Sequence, residues 1–172
     1  YVTTVPAQMR KGPRWFTGSA DALFQNMNII DDERPDHVIV FGADHIYRFD
    51  PRQMLNHHVA SGAGVTVAAI RQPAVEADRF GVIERDPDST RILAFHEKSP
   101  TAPRLPGSPD EVLASMGNYI FDVDVFRDIM SRDANDDESN HDVGGDIIPK
   151  LVNEGVAHVY DYYDNVVPGE QA

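Results

Sequence analysis

The stretch VIVFGADH at residues 38–45 carries the strongest signal for the fold of this chain. Its first four residues form a continuous apolar run with β-branched side chains, which is typical of a strand buried on both faces of a parallel sheet. Asp44 follows that strand closely, at the edge where open α/β sheets bind ligands. A carboxylate at this edge is suited to Mg²⁺, which prefers oxygen ligands, but it is equally suited to capping a turn, and the spacing leaves both interpretations open.

Helix-forming patterns lie on both sides of this strand. Residues 19–30 predict a helix, because four apolar side chains at helical spacing share one face and Ser19 is in place to cap it. Residues 50–53, DPRQ, predict the start of a second helix, with the aspartate as cap, the proline in the first turn and the glutamine completing a capping box.

Strands and short helices alternate along the rest of the chain. Strands are predicted at residues 64–70, 115–121 and 157–163, a hairpin at residues 80–85 and 91–96, and short helices at residues 124–130, capped by Asp124, and 145–152. This alternation predicts an α/β fold in which helices cover a mixed sheet.

The composition excludes several classes of protein. The chain has 172 residues, 15 Lys and Arg against 28 Asp and Glu, a formal net charge of −13 and no cysteine. The negative charge argues against binding of nucleic acid, and no apolar run approaches the roughly 20 residues of a membrane span. The lack of cysteine excludes a disulfide scaffold, a Cys-ligated zinc site and a cysteine nucleophile, and it agrees with a reducing compartment such as the cytoplasm.

Two short segments are candidate binding sites. Residues 18–21, GSAD, open a helix with small side chains that let a ligand approach the backbone, and the aspartate favours a neutral nucleobase over a phosphate; an ordinary helix cap is the alternative. Glu97 and Lys98 follow a hairpin strand. The ammonium group is suited to a phosphate, and a solvated surface ion pair is the alternative.

Six segments of the chain occur in the order found in bacterial ADP-glucose pyrophosphorylases, also called glucose-1-phosphate adenylyltransferases. They are PAQMRKGPRWFTGSADALFQN, VIVFGADHIYRFDPRQML, RFGVIERD, AFHEKSP, ASMGNYIFDVDVF and HDVGGDIIPKL. They are spread over residues 6–151, and the resemblance of the chain to this family covers nearly its whole length. The resemblance implies an adenylyltransferase that makes ADP-glucose and pyrophosphate from ATP and glucose 1-phosphate, with Mg²⁺ as cofactor, for glycogen biosynthesis.

The resemblance also implies roles for individual residues. Asp44 takes the place of the catalytic carboxylate that binds the metal, and Lys98 is the second catalytic residue. The residues implied to bind glucose 1-phosphate are Gly81, Glu97, Lys98, Ser115, Gly117 and Tyr119. The residues implied to border the nucleotide are Gly18, Ser19 and Ala20.

The implied fold is a three-layer, Rossmann-like α/β domain with a mostly parallel mixed sheet. We expect residues 1–172 to be part of one nucleotidyltransferase catalytic domain, incomplete at both ends, because the glycine-rich phosphate-binding signature and the C-terminal β-helix domain of the family are not found in them. We therefore expect the isolated chain to be inactive. The full-length protein is expected to be an allosterically regulated, cytoplasmic homotetramer with no membrane or nucleic-acid partner.

One departure from the family pattern and two alternative functions stay open. Ser99 follows Lys98 where the family usually has proline, which shifts the next loop but leaves Lys98 in place. The alternatives in function are another sugar-nucleotide pyrophosphorylase, using dTTP or UTP, and a non-catalytic regulatory subunit of the same family.

Overall fold

The computed structural model of the chain describes residues 2–6, 9, 12–13, 15–43, 48–167 and 169. These residues form an open six-stranded sheet with helices on both faces. The strands are β1 His37–Val40, β2 Val65–Pro73, β3 Gly81–Arg85, β4 Ile92–Glu97, β5 Glu111–Asp122 and β6 Ala157–Asp161. The helices are α1 Ser19–Gln25, α2 Met27–Glu33, α3 Pro51–Ser61, α4 Val123–Asp133 and α5 Ile148–Asn153. The predicted α/β class is confirmed.

The long strand β5 organises the sheet. The strand order is β4-β3-β5-β2-β6, and β1 also pairs with β5. Within the described sheet, the pairs β1·β5, β2·β5, β3·β4 and β3·β5 are antiparallel, and β2·β6 is parallel. The mixed character of the sheet and the predicted hairpin are confirmed, but antiparallel pairs outnumber parallel ones in this part of the domain.

The expectation of a parallel first strand buried on both faces is wrong. β1 runs antiparallel to β5, with His37 opposite Asp122 and Val40 opposite Tyr119. Ile39 in its middle is 39% exposed. A short apolar run does not reveal the direction of its partner, because that direction depends on a strand far along the chain.

The sheet separates two helical layers, as the three-layer prediction requires. Along β2, Val65, Val67 and Ala69 point into the larger core, where α1, α4 and α5 pack. Ala68 points to the opposite face and packs with Met54 of α3. This alternation follows from the two-residue period of a strand, and on the side of Ala68 the helix α3 packs together with Tyr162 of a short 3-10 helix.

The predicted start of α3 is confirmed, except for the capping box. Asp50 caps the helix by accepting from Arg52 N at 3.1 Å, Pro51 occupies the first turn, and Gly62 ends the helix with a φ of +64°. The Asp50 N–H donates to Asn165 Oδ1 at 2.9 Å and not to Gln53. The side chain of Gln53 reaches back to the Asp50 carboxylate, with Nε2 3.5 Å from Oδ2. It pairs with the main chain of Val166, donating to its carbonyl at 2.6 Å and accepting from its N–H at 3.0 Å.

The predicted helix over residues 19–30 is interrupted. It divides at Asn26, whose side-chain amide donates to the carbonyl of Ala22 at 2.8 Å, so a side chain competes with the helical hydrogen bonds. The expected caps differ as well. Gly18 rather than Ser19 precedes α1, and Asp122 rather than Asp124 caps α4 by accepting from two main-chain N–H groups.

The last helix begins later than predicted. Residues Val143–Ile147 form a single π-helical turn, and α5 starts at Ile148. Pro149 therefore lies in the first turn of α5, where its missing N–H costs no hydrogen bond. No helix in the described part of the chain is long and apolar enough to cross a membrane.

Candidate active site

A cleft of about 540 Å³ lies against β5 and the hairpin β3–β4. Five of the six predicted sugar-binding residues line it, namely Gly81, Glu97, Ser115, Gly117 and Tyr119. Its other lining residues are Gly42, Ile70, Gln72, Arg79, Phe80, Phe95, Ala114, Met116, Asp142, Gly144 and Gly145. This volume is in the range of pockets that bind small molecules, roughly 300–1,000 Å³.

A bulge in β5 shapes one wall of the cleft. Tyr119 lies opposite Val67 and Ser115 lies opposite Ala69, so β5 spans four residue steps where β2 spans two. Gly117 within the bulge has a φ of +69°, a conformation that only glycine adopts readily, and its N–H donates to Ser115 Oγ at 3.3 Å. A bulge of this kind bends the strand that carries it, and its residues 115–117 and 119 line the cleft.

Gly81 lies where a side chain has no room. A Cβ added there would lie 2.4 Å from Phe95 Cζ and 3.0 Å from Glu97 Oε2. The glycine therefore lets the Phe95 ring and the Glu97 carboxylate pack directly against the start of β3 at the wall of the cleft.

Glu97 and Lys98 differ in their relation to the cleft. Glu97 lines it, whereas Lys98 is not among the lining residues and its side chain is 67% exposed. Lys98 Nζ lies 3.5 Å from Glu97 Oε1, and the Lys98 backbone has a φ of +48°, held by a hydrogen bond from its N–H to the carbonyl of Phe80. Such a conformation is uncommon for a residue other than glycine and is often found at functional sites.

Tyr119 keeps its proton at neutral pH. The residue is 6% exposed, and burial raises the pKa of its hydroxyl to about 12, against the opposing effect of a hydrogen bond with Ser115. A neutral hydroxyl at the wall of the cleft can donate a hydrogen bond to an oxygen of a ligand.

The predicted nucleotide segment does not line the cleft but is attached to a residue that does. Ser19 Oγ donates to Asp142 Oδ1 at 2.9 Å, and Ala20 N donates to the carbonyl of His141 at 2.8 Å. A Cβ added to Gly18 would lie 2.2 Å from the same carbonyl oxygen. The small residues at positions 18–20 therefore allow close packing of two chain segments.

The carboxylate of Asp21 is engaged by hydrogen bonds from neighbouring residues of the chain. Its Oδ2 accepts from Thr17 N, Thr17 Oγ1 and Gln25 Nε2 at 2.9–3.1 Å. Burial acts to raise the pKa of Asp21, but these hydrogen bonds outweigh it and hold the pKa below its ordinary value. Asp21 is therefore an ionised residue that stabilises the first turn of α1.

Four lining residues are not singled out by any pattern of residue type and spacing. Asp142, Gly144 and Gly145 lie in the segment HDVGGD, whose only signal was its place in the family resemblance. Arg79 lines the cleft from the turn before β3, with Nη1 3.2 Å from Glu76 Oε2, and adds a cation close to the predicted sugar-binding residues.

Asp44, the predicted metal ligand, lies outside the described residues. The chain just before Asp44 is hydrogen-bonded to the bulge in β5. Gly42 N donates at 3.3 Å to Oδ1 of Asn118, which is fully buried. No group of three or more His, Asp or Glu in the described part of the chain is placed to hold a metal ion. The magnesium site stays a prediction.

An open α/β sheet with a cleft of small-molecule size beside its central strand is typical of a ligand-binding or catalytic domain. The chain matches the family model described as nucleotidyl transferase over residues 2–165, and it belongs to that family.

Its relatives include proteins named glucose-1-phosphate adenylyltransferase. The chain is 57% identical over 169 residues to the protein of Mycolicibacterium vanbaalenii, 59% to that of Frankia casuarinae and 57% to that of Mycobacterium tuberculosis. These alignments cover 98% of this chain and 41–42% of each relative, so the chain spans less than half the length of the relatives it matches. They confirm the resemblance stated from the sequence.

Proposed function

We propose that this chain is part of an adenylyltransferase that converts ATP and glucose 1-phosphate into ADP-glucose and pyrophosphate for glycogen biosynthesis. The observation that carries the proposal is the convergence of five predicted sugar-binding residues, from three different strands, on one cleft. The names of the relatives support the choice of glucose 1-phosphate and of the adenylyl group.

The cleft offers the groups that recognise a sugar. Glu97 accepts hydrogen bonds from hydroxyl groups, while Ser115 and the protonated Tyr119 donate or accept them. Gly117 leaves open space at the cleft wall, since a Cβ added there would meet no atom within 4 Å, and Gly81 lets Glu97 lie against the start of β3. In the proposed complex, the sugar lies along β5, and Lys98 beside Glu97 holds the phosphate group as a point charge.

The proposed chemistry needs no general base. An ionised phosphate oxygen of glucose 1-phosphate attacks the α-phosphorus of ATP in line, the new P–O bond forms, and the bond to pyrophosphate breaks with its electron pair leaving on pyrophosphate. The side chains of the chain therefore act by positioning and by neutralising charge, which is the usual basis of such transfers.

We propose Mg²⁺ as the cofactor and Asp44 as its ligand. A single carboxylate together with phosphate oxygens is a donor set that suits a hard cation. The metal would neutralise the charge of the triphosphate. Gly18, Ser19 and Ala20 are proposed to border the adenine, and the bond from Ser19 Oγ to Asp142 holds their segment beside the cleft-lining segment.

The test uses the full-length protein. We expect it to form ADP-glucose and pyrophosphate from ATP and glucose 1-phosphate, with EDTA abolishing the reaction and Mg²⁺ restoring it. A panel of ATP, dTTP and UTP at equal concentration, followed by product chromatography, measures the nucleotide preference. Preference for dTTP or UTP would replace the adenylyl assignment, and nucleotide binding without turnover would favour a regulatory subunit.

We also propose that the full-length protein is a homotetramer. Light scattering on the preparation used for the assay measures its mass. The proposed reaction consumes ATP, and we propose the cytoplasm as its location because ATP is available there.

A further inference from the structure

A buried carboxylate closes the loop that follows α4. Asp133, the last residue of α4, is 2% exposed. It accepts from Ser139 Oγ at 2.6 Å and lies 2.8 Å from His141 Nδ1, which is the donor because an ionised carboxylate can only accept. Neither Asp133 nor His141 lines the cleft.

Lys150 of α5 completes this polar cluster. Its Nζ lies 3.5 Å from Asp133 Oδ1 and 2.8 Å from Asp136 Oδ2. The hydrogen bond from Lys150 lowers the pKa of Asp136, and the same bond raises the pKa of Lys150. The loop is therefore held to the end of α4 and to α5 by groups that are charged at neutral pH.

His141 has a backbone conformation that few residues accept. Its φ is +56°, in the left-handed region, where His, Asn and Asp are enriched among residues other than glycine. In this conformation its carbonyl accepts from Ala20 N, and the carbonyl oxygen occupies the space that a side chain at Gly18 would need. His141 thus joins α4, through its side chain, to the start of α1, through its backbone.

Asp142, the next residue, connects His141 to the cleft, which it lines. Its Oδ1 accepts from Ser19 Oγ at 2.9 Å, and its Oδ2 accepts from Gly145 N at 2.7 Å. Ser19 Oγ in turn accepts from Val143 N at 2.9 Å. Asp142 and Gly145 line the cleft, so the same few bonds connect the predicted nucleotide segment with the predicted sugar site.

We propose that Asp133 and His141 form a positioning pair that sets the relative placement of the nucleotide segment, residues 18–20, and of the cleft-lining segment, residues 142–145. This inference rests on the proposed function. The pair acts through Asp142 and Ser19 and contacts no substrate. Its loss loosens both substrate segments together, which distinguishes it from a residue that serves only one of them.

Three substitutions at one position separate the side-chain bond from the backbone conformation. His141→Asn keeps a donor near the position of Nδ1 and tolerates the positive φ. His141→Gly keeps the backbone conformation but removes the donor. His141→Leu removes both. All three are measured in the full-length enzyme, together with Met54→Ala, a matched control that destabilises the opposite helical layer.

The readouts are kcat, the KM for each substrate and the urea midpoint. We expect His141→Asn to stay close to wild type and His141→Gly to raise the KM for both glucose 1-phosphate and ATP by about tenfold, the equivalent of one lost hydrogen bond, with a smaller change in kcat. Met54→Ala is expected to lower the urea midpoint without moving either KM.

The outcomes separate this inference from the proposed function. A wild-type enzyme that makes no ADP-glucose overturns both. An active wild type with unchanged KM values in His141→Gly, or with equal losses in His141→Asn and His141→Gly, overturns the positioning pair alone. If His141→Gly does not fold, Asp133→Asn decides, because it removes the charge of the acceptor at nearly constant shape; a rise in both KM values supports the pair and unchanged values overturn it.

Discussion

The start of β3 shows how one missing side chain shapes the cleft. A methyl group at Gly81 would collide with the Phe95 ring and press against Glu97. We expect Gly81→Ala to destabilise the protein by about 1–3 kcal/mol, the usual cost of overpacking, and to raise the KM for glucose 1-phosphate. Urea denaturation and steady-state kinetics measure the two effects.

A second substitution checks the cause at Gly81. Phe95→Leu removes the ring atoms nearest to the added methyl group. Gly81→Ala is therefore expected to lower the free energy of unfolding less in the Phe95→Leu background than in wild type. Strictly additive losses in the double variant would contradict the collision with Phe95.

A substitution of the single residue Lys98 tests its proposed role in binding the phosphate group. Its ammonium is exposed and paired only with Glu97 at 3.5 Å among the described residues, so it is available to a phosphate group. We expect Lys98→Ala to raise the KM for glucose 1-phosphate far more than the KM for ATP, as measured by initial rates with each substrate varied in turn. Equal effects on both KM values would refute the assignment.

At the scale of the element, helix α3 makes stability depend on pH. His58 is 1% exposed and shares a hydrogen bond with Thr66 Oγ1 at 2.8 Å. Burial and the neighbouring His37 lower the pKa of His58 to about 4. In the unfolded chain, its pKa is near 6.5, so below that pH the unfolded state binds the proton more readily and the protein loses stability.

This loss is expected to reach about 2–3 kcal/mol between pH 7 and pH 4. Urea midpoints across this range measure it. His58→Asn keeps a donor toward Thr66 but cannot take up a proton in this range, so its pH dependence should be shallower than that of wild type. The same slope in both proteins would show that the loss comes from other groups, such as the partly buried His57 and His158, whose pKa values burial also lowers.

Sequence patterns predicted the ends of a helix well where those ends depend on residues close by in the chain. Asp50, Pro51 and Gly62 mark the ends of α3 in the sequence because capping and a positive φ depend on residues within one turn. The break at Asn26 and the direction of β1 were not predictable in this way. The first depends on a side chain that competes with helical bonds, and the second depends on pairing with β5.

At the scale of the whole molecule, the candidate site was only partly predictable. The family resemblance marked Gly81, Glu97, Ser115, Gly117 and Tyr119, and the fold brings all five to one cleft. It did not reveal the contacts that join the segments to each other, because those contacts link positions far apart in sequence. The bond between the Ser19 hydroxyl and Asp142 is an example, with a sequence separation of 123 residues.

The central place of β5 has a consequence for synthesis on the ribosome. β1 and the antiparallel edge of β2 have their partner in residues 111–122, so neither can complete its pairing until that strand has left the ribosome. At about 5–20 residues per second, the delay between Val40 and Asp122 is roughly 4–16 s. During this interval, β1 and β2 lack their β5 partner, and unpaired strand edges of this kind are where another chain can pair.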